Sequence, residues 1–312
     1  MAEIRMKTKK KKKRLMKHPG LRKIRFILAL GLIHTMRTIP RSWALSTGRN
    51  LGLLYYRIGS KYRDRAVSNL KMAFGNEKSG AEIRQIAQGV FSHFGETAAD
   101  AIRIPLYAGE NIETIVRPKN FHYAEKALSG GRGVIFLTAH FGNWEIMGAW
   151  LAAKGYPIRV VGTPAGDPAF DRMIVETRNQ AGYYNIARGK SPREIIRAIR
   201  DGHSLGFLID QDTDVKGVFV DFFGEKAHTA TGPVVLASRY KIPIIPAFAR
   251  MKEDRTYEAE FFPPIPLADT GNPEKDILIN TQACSDIYET VIRRHPEQWA
   301  WMHKRWKKRP EG

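Results

Sequence analysis

The sequence predicts an α/β fold in which a central mixed, mostly parallel sheet is flanked by helices and preceded by a helical, membrane-associated N-terminal region. Three observations carry the prediction. From about residue 112 onward, short runs rich in Val, Ile and Phe alternate with helix-like segments, the pattern of parallel strands joined by crossover helices. Between residues 21 and 107, apolar residues recur at spacings of three and four, the period of a helix with one apolar face. Ahead of both, a lysine-rich start runs into the apolar stretch "FILALGLI" (Phe26–Ile33).

The N-terminal elements come first. Residues 1–20 read as a basic, disordered tail, and residues 21–107 as the helical region. "FILALGLI" follows basic residues as the core of a signal peptide would, but no small-residue cleavage site follows it. It is also shorter than the roughly 20 residues a spanning helix needs. A second stretch, "WALSTGRNLGLLYYRIG", is interrupted by Arg49 and Asn50. Both suit helices lying at an interface, with lysines and arginines near lipid headgroups. "RDRAVSNLKMAFG" and "GAEIRQIAQGVFSHFGETAADAIRI" each present an apolar face, separated by the turn "NEKSGAE".

Residues 108–312 form the α/β unit. "GVIFLTA", "IRVVGT", "SLGFLID", "GVFVDFF", "IPIIPAFAR" and "TYEAEFFPP" read as strands, several buried on both faces. "NWEIMGAWLAAKG" and "PAFDRMIVETRNQAG" read as helices ended by Gly155 and Gly182. "SPREIIRAIRDG" has Ser191 as N-cap, Pro192 at the first helical position and Gly202 at its end. "ATGPVVLASRYK" and "EKDILINTQACSDIYETVIRRH" complete the helices.

Composition narrows the function. The 312 residues are 43% hydrophobic, as in a globular chain, yet carry a formal net charge of +20. Such a charge attracts anionic lipid, acidic proteins or nucleic acid. No nucleic-acid-reading module follows the lysine run, so nucleic acid is not an expected partner, although a non-enzymatic basic adaptor stays open as an alternative. The single cysteine, Cys284, excludes an intramolecular disulfide and reads as a packed residue. Zinc-ligand spacing, a Walker loop and a dinucleotide fingerprint are all lacking, so neither a metal nor another cofactor is expected.

The chemistry concentrates in "LTAHFGNWE" (residues 137–145). A strand ending at Ala139 delivers His140 at a carboxyl end, where α/β folds gather ligands. Gly142 and Asn143 open a turn that folds the histidine back toward Glu145 in the next helix. An imidazole accepts a proton near neutral pH, and a carboxylate on its other nitrogen fixes the tautomer. Spacing alone leaves a second reading: a packed strand-end histidine beside a glutamate that complements a helix dipole.

"HFGNWE" resembles the H-x4-D/E motif of glycerolipid and glycolipid acyltransferases. The sequence around it looks like the bacterial lipid A biosynthesis acyltransferases (the lauroyl and myristoyl transferases). "RAVSNLKMAF" with "IAQGVFSHFGE", "VETRNQAGYYNI", "GHSLGFLIDQD" with "GVFVDFFGEKAHTATGPVVLA", and "PEQWAWMHKRWK" are similar to that family's further blocks, in order, from about Arg63 to Lys307. The resemblance implies a glycerolipid acyltransferase-like fold and an O-acyltransferase. It would move a fatty acyl chain from an acyl carrier protein thioester, or acyl-CoA, to a hydroxyl of a membrane glycolipid such as a lipid A precursor. Another glycolipid, such as a phosphatidylinositol mannoside, is the alternative acceptor. The implied place is the cytoplasmic face of a bacterial inner membrane, with attachment through the N-terminal region.

On that resemblance His140 is the general base and Glu145 its orienting carboxylate. Backbone N–H groups at Gly142 and Asn143, with Arg178 first and Arg188 second, would stabilise the oxyanion. Asp210, Gln211 and Asp212 follow a strand and are expected to bind acceptor hydroxyls or to hold Arg178. Thr231 and Gly232 are weaker expectations for the acceptor or acyl pocket, and His228 reads as a surface residue. Trp299, Trp301 and Trp306 suit either a membrane interface or packing on the sheet.

Overall fold

The computed structural model describes residues 19–107, 112–164, 167–187 and 192–310. The basic tail expected over residues 1–20 falls almost wholly outside these, as do Arg188 and the expected N-cap Ser191. Among the described residues four helices come first: α1 (Pro19–Thr38), α2 (Arg41–Ile58), α3 (Ser60–Phe74) and α4 (Gly80–Arg103). Ser79 and Glu82 start α4 with a reciprocal capping box, satisfying two otherwise unpaired N–H groups. Gly48 and Gly95 let α2 and α4 cross closely, because a Cβ on Gly48 would stand 2.3 Å from the Gly95 carbonyl. No described helix is long and apolar enough to cross a membrane.

The α/β part begins with the short α5 (Ile112–Ile115), β1 (Val116–Lys119) and α6 (His122–Leu128). It continues through β2 (Ile135–Thr138), α7 (Trp144–Ala153), β3 (Ile158–Gly162) and α8 (Pro168–Gln180). Then come β4 (Tyr184–Ala187), α9 (Pro192–Arg200), β5 (Ser204–Leu208), β6 (Gly217–Phe222) and β7 (Glu225–Ala230). The last elements are α10 (Gly232–Tyr240), β8 (Ile244–Met251), β9 (Tyr257–Phe261) and α11 (Pro273–Arg294). Seven strands form one sheet in the order β1-β9-β8-β2-β5-β3-β4. All neighbours run parallel except β8 and β9.

All six expected strands are present. The structure adds β1, β4 and β7, three short strands whose sequences carry fewer β-branched residues. "EKAHTA" is β7, paired with β6 as a separate antiparallel hairpin. Alternation within β2 divides the core. Ile135 and Leu137 face one side with Leu70, Phe91 and Tyr288, whereas Phe136 faces the other with Trp150 and Phe261. The N-terminal helices therefore share a core with the sheet. Cys284 is fully buried there, and burial pushes its thiol up to about 12.

Candidate active site

Two parallel neighbours build the site. Thr138 of β2 pairs in register with Leu208 of β5, and two residues beyond each stand His140 and Asp210. The Asp210 carboxylate, fully buried, takes hydrogen bonds from three donors. The His140 backbone N–H donates to Oδ2 at 2.9 Å, the ring Nδ1 meets Oδ1 at 2.9 Å, and the Trp299 indole donates to Oδ2 at 2.8 Å. Burial works to raise the Asp210 pKa, but His140 and these hydrogen bonds outweigh it and hold the carboxyl below its ordinary value. An ionised carboxylate only accepts, so Nδ1 carries the proton and Nε2 is left as the acceptor.

This corrects the expected pairing. Glu145 does not reach His140; its carboxylate is taken by other donors. Arg178 donates to it through Nε at 2.9 Å and Nη2 at 2.6 Å, Tyr183 through its hydroxyl at 2.6 Å, and Trp144 through its indole at 3.0 Å. Burial raises its pKa, and the Arg178 guanidinium, with the Tyr183 and Trp144 hydrogen bonds, more than reverses that, so Glu145 sits below the ordinary value. The physical reason is the turn: five residues that include an entire strand-to-helix reversal send Glu145 behind Trp144, toward α8. The contact with His140 is indirect, since the Trp144 ring meets the imidazole edge-on at 5.1 Å between centroids.

The expected oxyanion donors at Arg178, Gly142 and Asn143 are also committed elsewhere. Arg178 gives its remaining Nη1 to Asn185 at 2.7 Å. The Gly142 N–H donates to the Gln298 carbonyl at 2.9 Å, and the Asn143 N–H to the Ala249 carbonyl at 2.8 Å. Gly142 has φ +56°, and a Cβ there would lie 1.9 Å from the Ala249 carbonyl, so the turn requires glycine. Asn143 is fully buried and caps α7, its Oδ1 accepting from the Ile146 N–H at 3.1 Å. It holds the turn rather than facing an acceptor.

His140 opens into a cleft of about 520 Å³. Gln211 and Asp212 line it together with Tyr62, Arg65, Phe94, Ala300, Met302, His303, Lys304 and Lys307. Thr231 and Gly232 do not: Thr231 follows β7 as the N-cap residue of α10 and Gly232 begins that helix, away from the cleft lining. Asp212, 1% exposed in its side chain, accepts from the Lys308 N–H at 2.8 Å and stands 3.4 Å from His228 Nδ1. His228 is thus buried rather than on the surface, and burial and the Lys308 charge keep its pKa low. A separate cavity of about 1210 Å³ lies at the opposite end of the strands beside Gly133 and Pro243 and holds none of these groups.

Three contributors escape the motif. Arg65 arrives from α3, far from the strand ends in sequence. Trp299 reaches Asp210 because residues around it bridge to the turn, Phe141 opposite Trp299. Trp299 and Trp301 are 1% and 0% exposed, which decides for packing over a membrane interface. Arg305, 1% exposed, is held by the His228 carbonyl and the Thr229 hydroxyl, and burial lowers its pKa to about 10. Among the described residues no group of acids, histidines or cysteines is arranged to hold a metal ion.

Comparison with known proteins bears on this geometry. Residues 9–308 match the family described as bacterial lipid A biosynthesis acyltransferase. A lipid A biosynthesis acyltransferase of Haemophilus influenzae is 25% identical over 85% of this chain and 82% of its own length. A lipid A biosynthesis lauroyltransferase of Escherichia coli strain K12 is 25% identical over 91% of this chain and 92% of its own. A phosphatidylinositol mannoside acyltransferase of Mycolicibacterium smegmatis is 27% identical over 66% of this chain and 67% of its own.

Proposed function

The chain belongs to the bacterial lipid A biosynthesis acyltransferase family, an O-acyltransferase family acting on lipid-linked glycans, and on that premise we propose that His140 is its general base, held by Asp210. The donor is an acyl thioester on acyl carrier protein or CoA, and the acceptor a glycolipid hydroxyl such as one of a lipid A precursor. The single observation that carries the mechanism is the 2.9 Å contact of His140 Nδ1 with a buried carboxylate at the floor of an open cleft.

Nε2 takes the proton of the acceptor hydroxyl as its oxygen attacks the thioester carbonyl. Asp210 stabilises the imidazolium so formed. Collapse of the tetrahedral intermediate breaks the C–S bond, leaves the new C–O ester, and returns the proton from Nε2 to the departing sulfur. Glu145 acts one step removed: pinned by Arg178, it anchors the Trp144 indole against the imidazole.

The surroundings suit a membrane-borne, anionic acceptor. Arg65, Lys304 and Lys307 line the cleft with no carboxylate at ion-pair distance among the described residues, which favours a phosphorylated headgroup. Exposed apolar side chains recur on the N-terminal helices, at Leu28 of α1, Trp43 and Ile58 of α2 and Tyr62, which also lines the cleft. Such a face lies in a bilayer surface and brings the acceptor headgroup to His140. It fits attachment to the cytoplasmic face of a bacterial inner membrane. A phosphatidylinositol mannoside remains the second acceptor reading, on the strength of the Mycolicibacterium relative.

The test is acyl transfer by purified enzyme with lauroyl- or myristoyl-loaded acyl carrier protein and a lipid A precursor in vesicles. His140→Ala abolishes transfer while the circular dichroism spectrum stays native. Full activity in a folded His140→Ala protein would sink the mechanism.

A further inference from the structure

A chain of buried hydrogen bonds connects the apolar N-terminal helices to the catalytic turn. Asp100 of α4 is 0% exposed, where a carboxylate survives only if fully paired. Arg41, the first residue of α2, grips it with both Nε (3.1 Å) and Nη2 (2.6 Å). The Tyr107 hydroxyl donates to Oδ1 at 2.5 Å and the Tyr257 hydroxyl to Oδ2 at 2.8 Å. The Tyr257 oxygen in turn accepts from Asn143 Nδ2 at 3.1 Å. Asn143 is the cap of α7, three residues after His140.

Each link is directional, and all but the half-buried Arg41 end is desolvated, so the chain specifies a geometry as well as contributing stability. An apolar cluster of the same volume would fill the space without fixing the angle of Asn143. At the other end stands α2, whose Trp43 is 68% exposed two residues after Arg41. The helix that meets the bilayer and the cap that sets the catalytic turn are thus joined by four side chains.

Building on the acyl-transfer reading, we propose that Tyr257 and Asp100 are positioning residues that hold the His140 turn at a set height and angle relative to the membrane-facing helices. A headgroup anchored in the bilayer then meets Nε2 without rearrangement of the turn. Neither residue touches the substrate. Their effect falls on how often the hydroxyl and Nε2 meet in line, which is a term in kcat.

The experiment compares Tyr257→Phe with the wild-type enzyme, using lauroyl- or myristoyl-loaded acyl carrier protein and a lipid A precursor. The acceptor is presented in phosphatidylethanolamine–phosphatidylglycerol vesicles and, separately, in detergent micelles, where it is free to adapt to the turn. In vesicles kcat falls roughly 10- to 100-fold with KM for both substrates little changed, and in micelles the loss stays below about threefold. Arg41→Lys, at the far end and partly exposed, shows the same vesicle-selective loss on a smaller scale. It carries the test if Tyr257→Phe does not fold. An equal loss in both presentations reduces the chain to a structural support and overturns the proposal, as does an unchanged kcat in folded protein. Absence of transfer by the wild-type enzyme, with either donor, would instead sink the functional reading beneath it.

Discussion

His140 and Asp210 stand two residues beyond paired positions on adjacent parallel strands, and the carboxylate holds the histidine at both its backbone N–H and its ring Nδ1. One side chain thus fixes the position and the tautomer of the proposed base.

Asp210→Asn separates these two functions. The amide keeps the size and one acceptor, but its NH2 group disfavours the Nδ1–H tautomer that leaves Nε2 free. We expect kcat to fall on the order of a thousandfold or more, with the fold retained, since the comparable change in a serine protease triad is of that size. The check is steady-state transfer beside a thermal unfolding curve. Unchanged kcat would return the orienting role to another group.

Glu145 and Arg178 make a different prediction, one about stability. Their side chains are 18% and 14% exposed. Glu145→Ala strands the guanidinium and is expected to cost about 3 kcal/mol, while Glu145→Ala with Arg178→Met recovers much of it. Urea unfolding of the single and double variants measures the coupling. Additive losses would show that the pair is not a unit. Glu145 lies below its ordinary pKa, so its contribution is present above the unfolded value and is lost as pH falls through the lower folded one.

His93 sets a separate pH window. Burial holds its folded pKa at about 4, against 6.5 for a free imidazole, and its ring faces the Gly142 carbonyl and the Thr97 hydroxyl. Between those values the unfolded chain binds a proton that the folded one refuses, so stability declines as pH drops from 6.5 toward 4. The full decline from this ring amounts to ~3 kcal/mol. His228, His295 and His303 are lowered too, chiefly by burial, so the wild-type slope is a sum. His93→Gln should flatten it measurably in urea midpoints taken across the window. A slope identical to wild type would rule His93 out.

The cleft cations predict a binding effect. Arg65→Ala, Lys304→Ala and Lys307→Ala should each raise KM for a phosphorylated acceptor a few-fold, leave kcat nearly unchanged, and weaken the dependence of KM on salt. The same variants assayed with a dephosphorylated acceptor should match wild type. If they raise KM equally for both acceptors, the cations serve something other than the phosphate, docking of an acidic carrier protein being the obvious case.

The strand and helix order was readable because buried strands and one-faced helices leave periods in the chain, as in "GVIFLTA" and "GAEIRQIAQGVFSHFGE". His140 was readable for the same reason, as the polar residue at the end of such a run. Asp210 was visible as a strand-end carboxylate too, but cast as a sugar ligand because Glu145 lay nearer in sequence. Proximity in sequence suggested Glu145, Gly142 and Asn143, and the resemblance suggested Arg178, yet Gly142 and Asn143 spend their N–H groups on holding the turn and Glu145 and Arg178 bond each other.

The sequence by itself determined the family and the α/β class and pointed to His140 as the proposed base, since local periodicity and ordered motifs reside in the chain. Only the tertiary structure decided which carboxylate hydrogen-bonds His140. Strand order is non-local: β5 lies beside β2 although 70 residues separate Asp210 from His140, and hydrogen bonds form between neighbours in space. The same holds for Arg65, Trp299 and the Arg41–Asp100–Tyr257–Asn143 chain, each assembled from segments that meet only when the sheet closes on its helices.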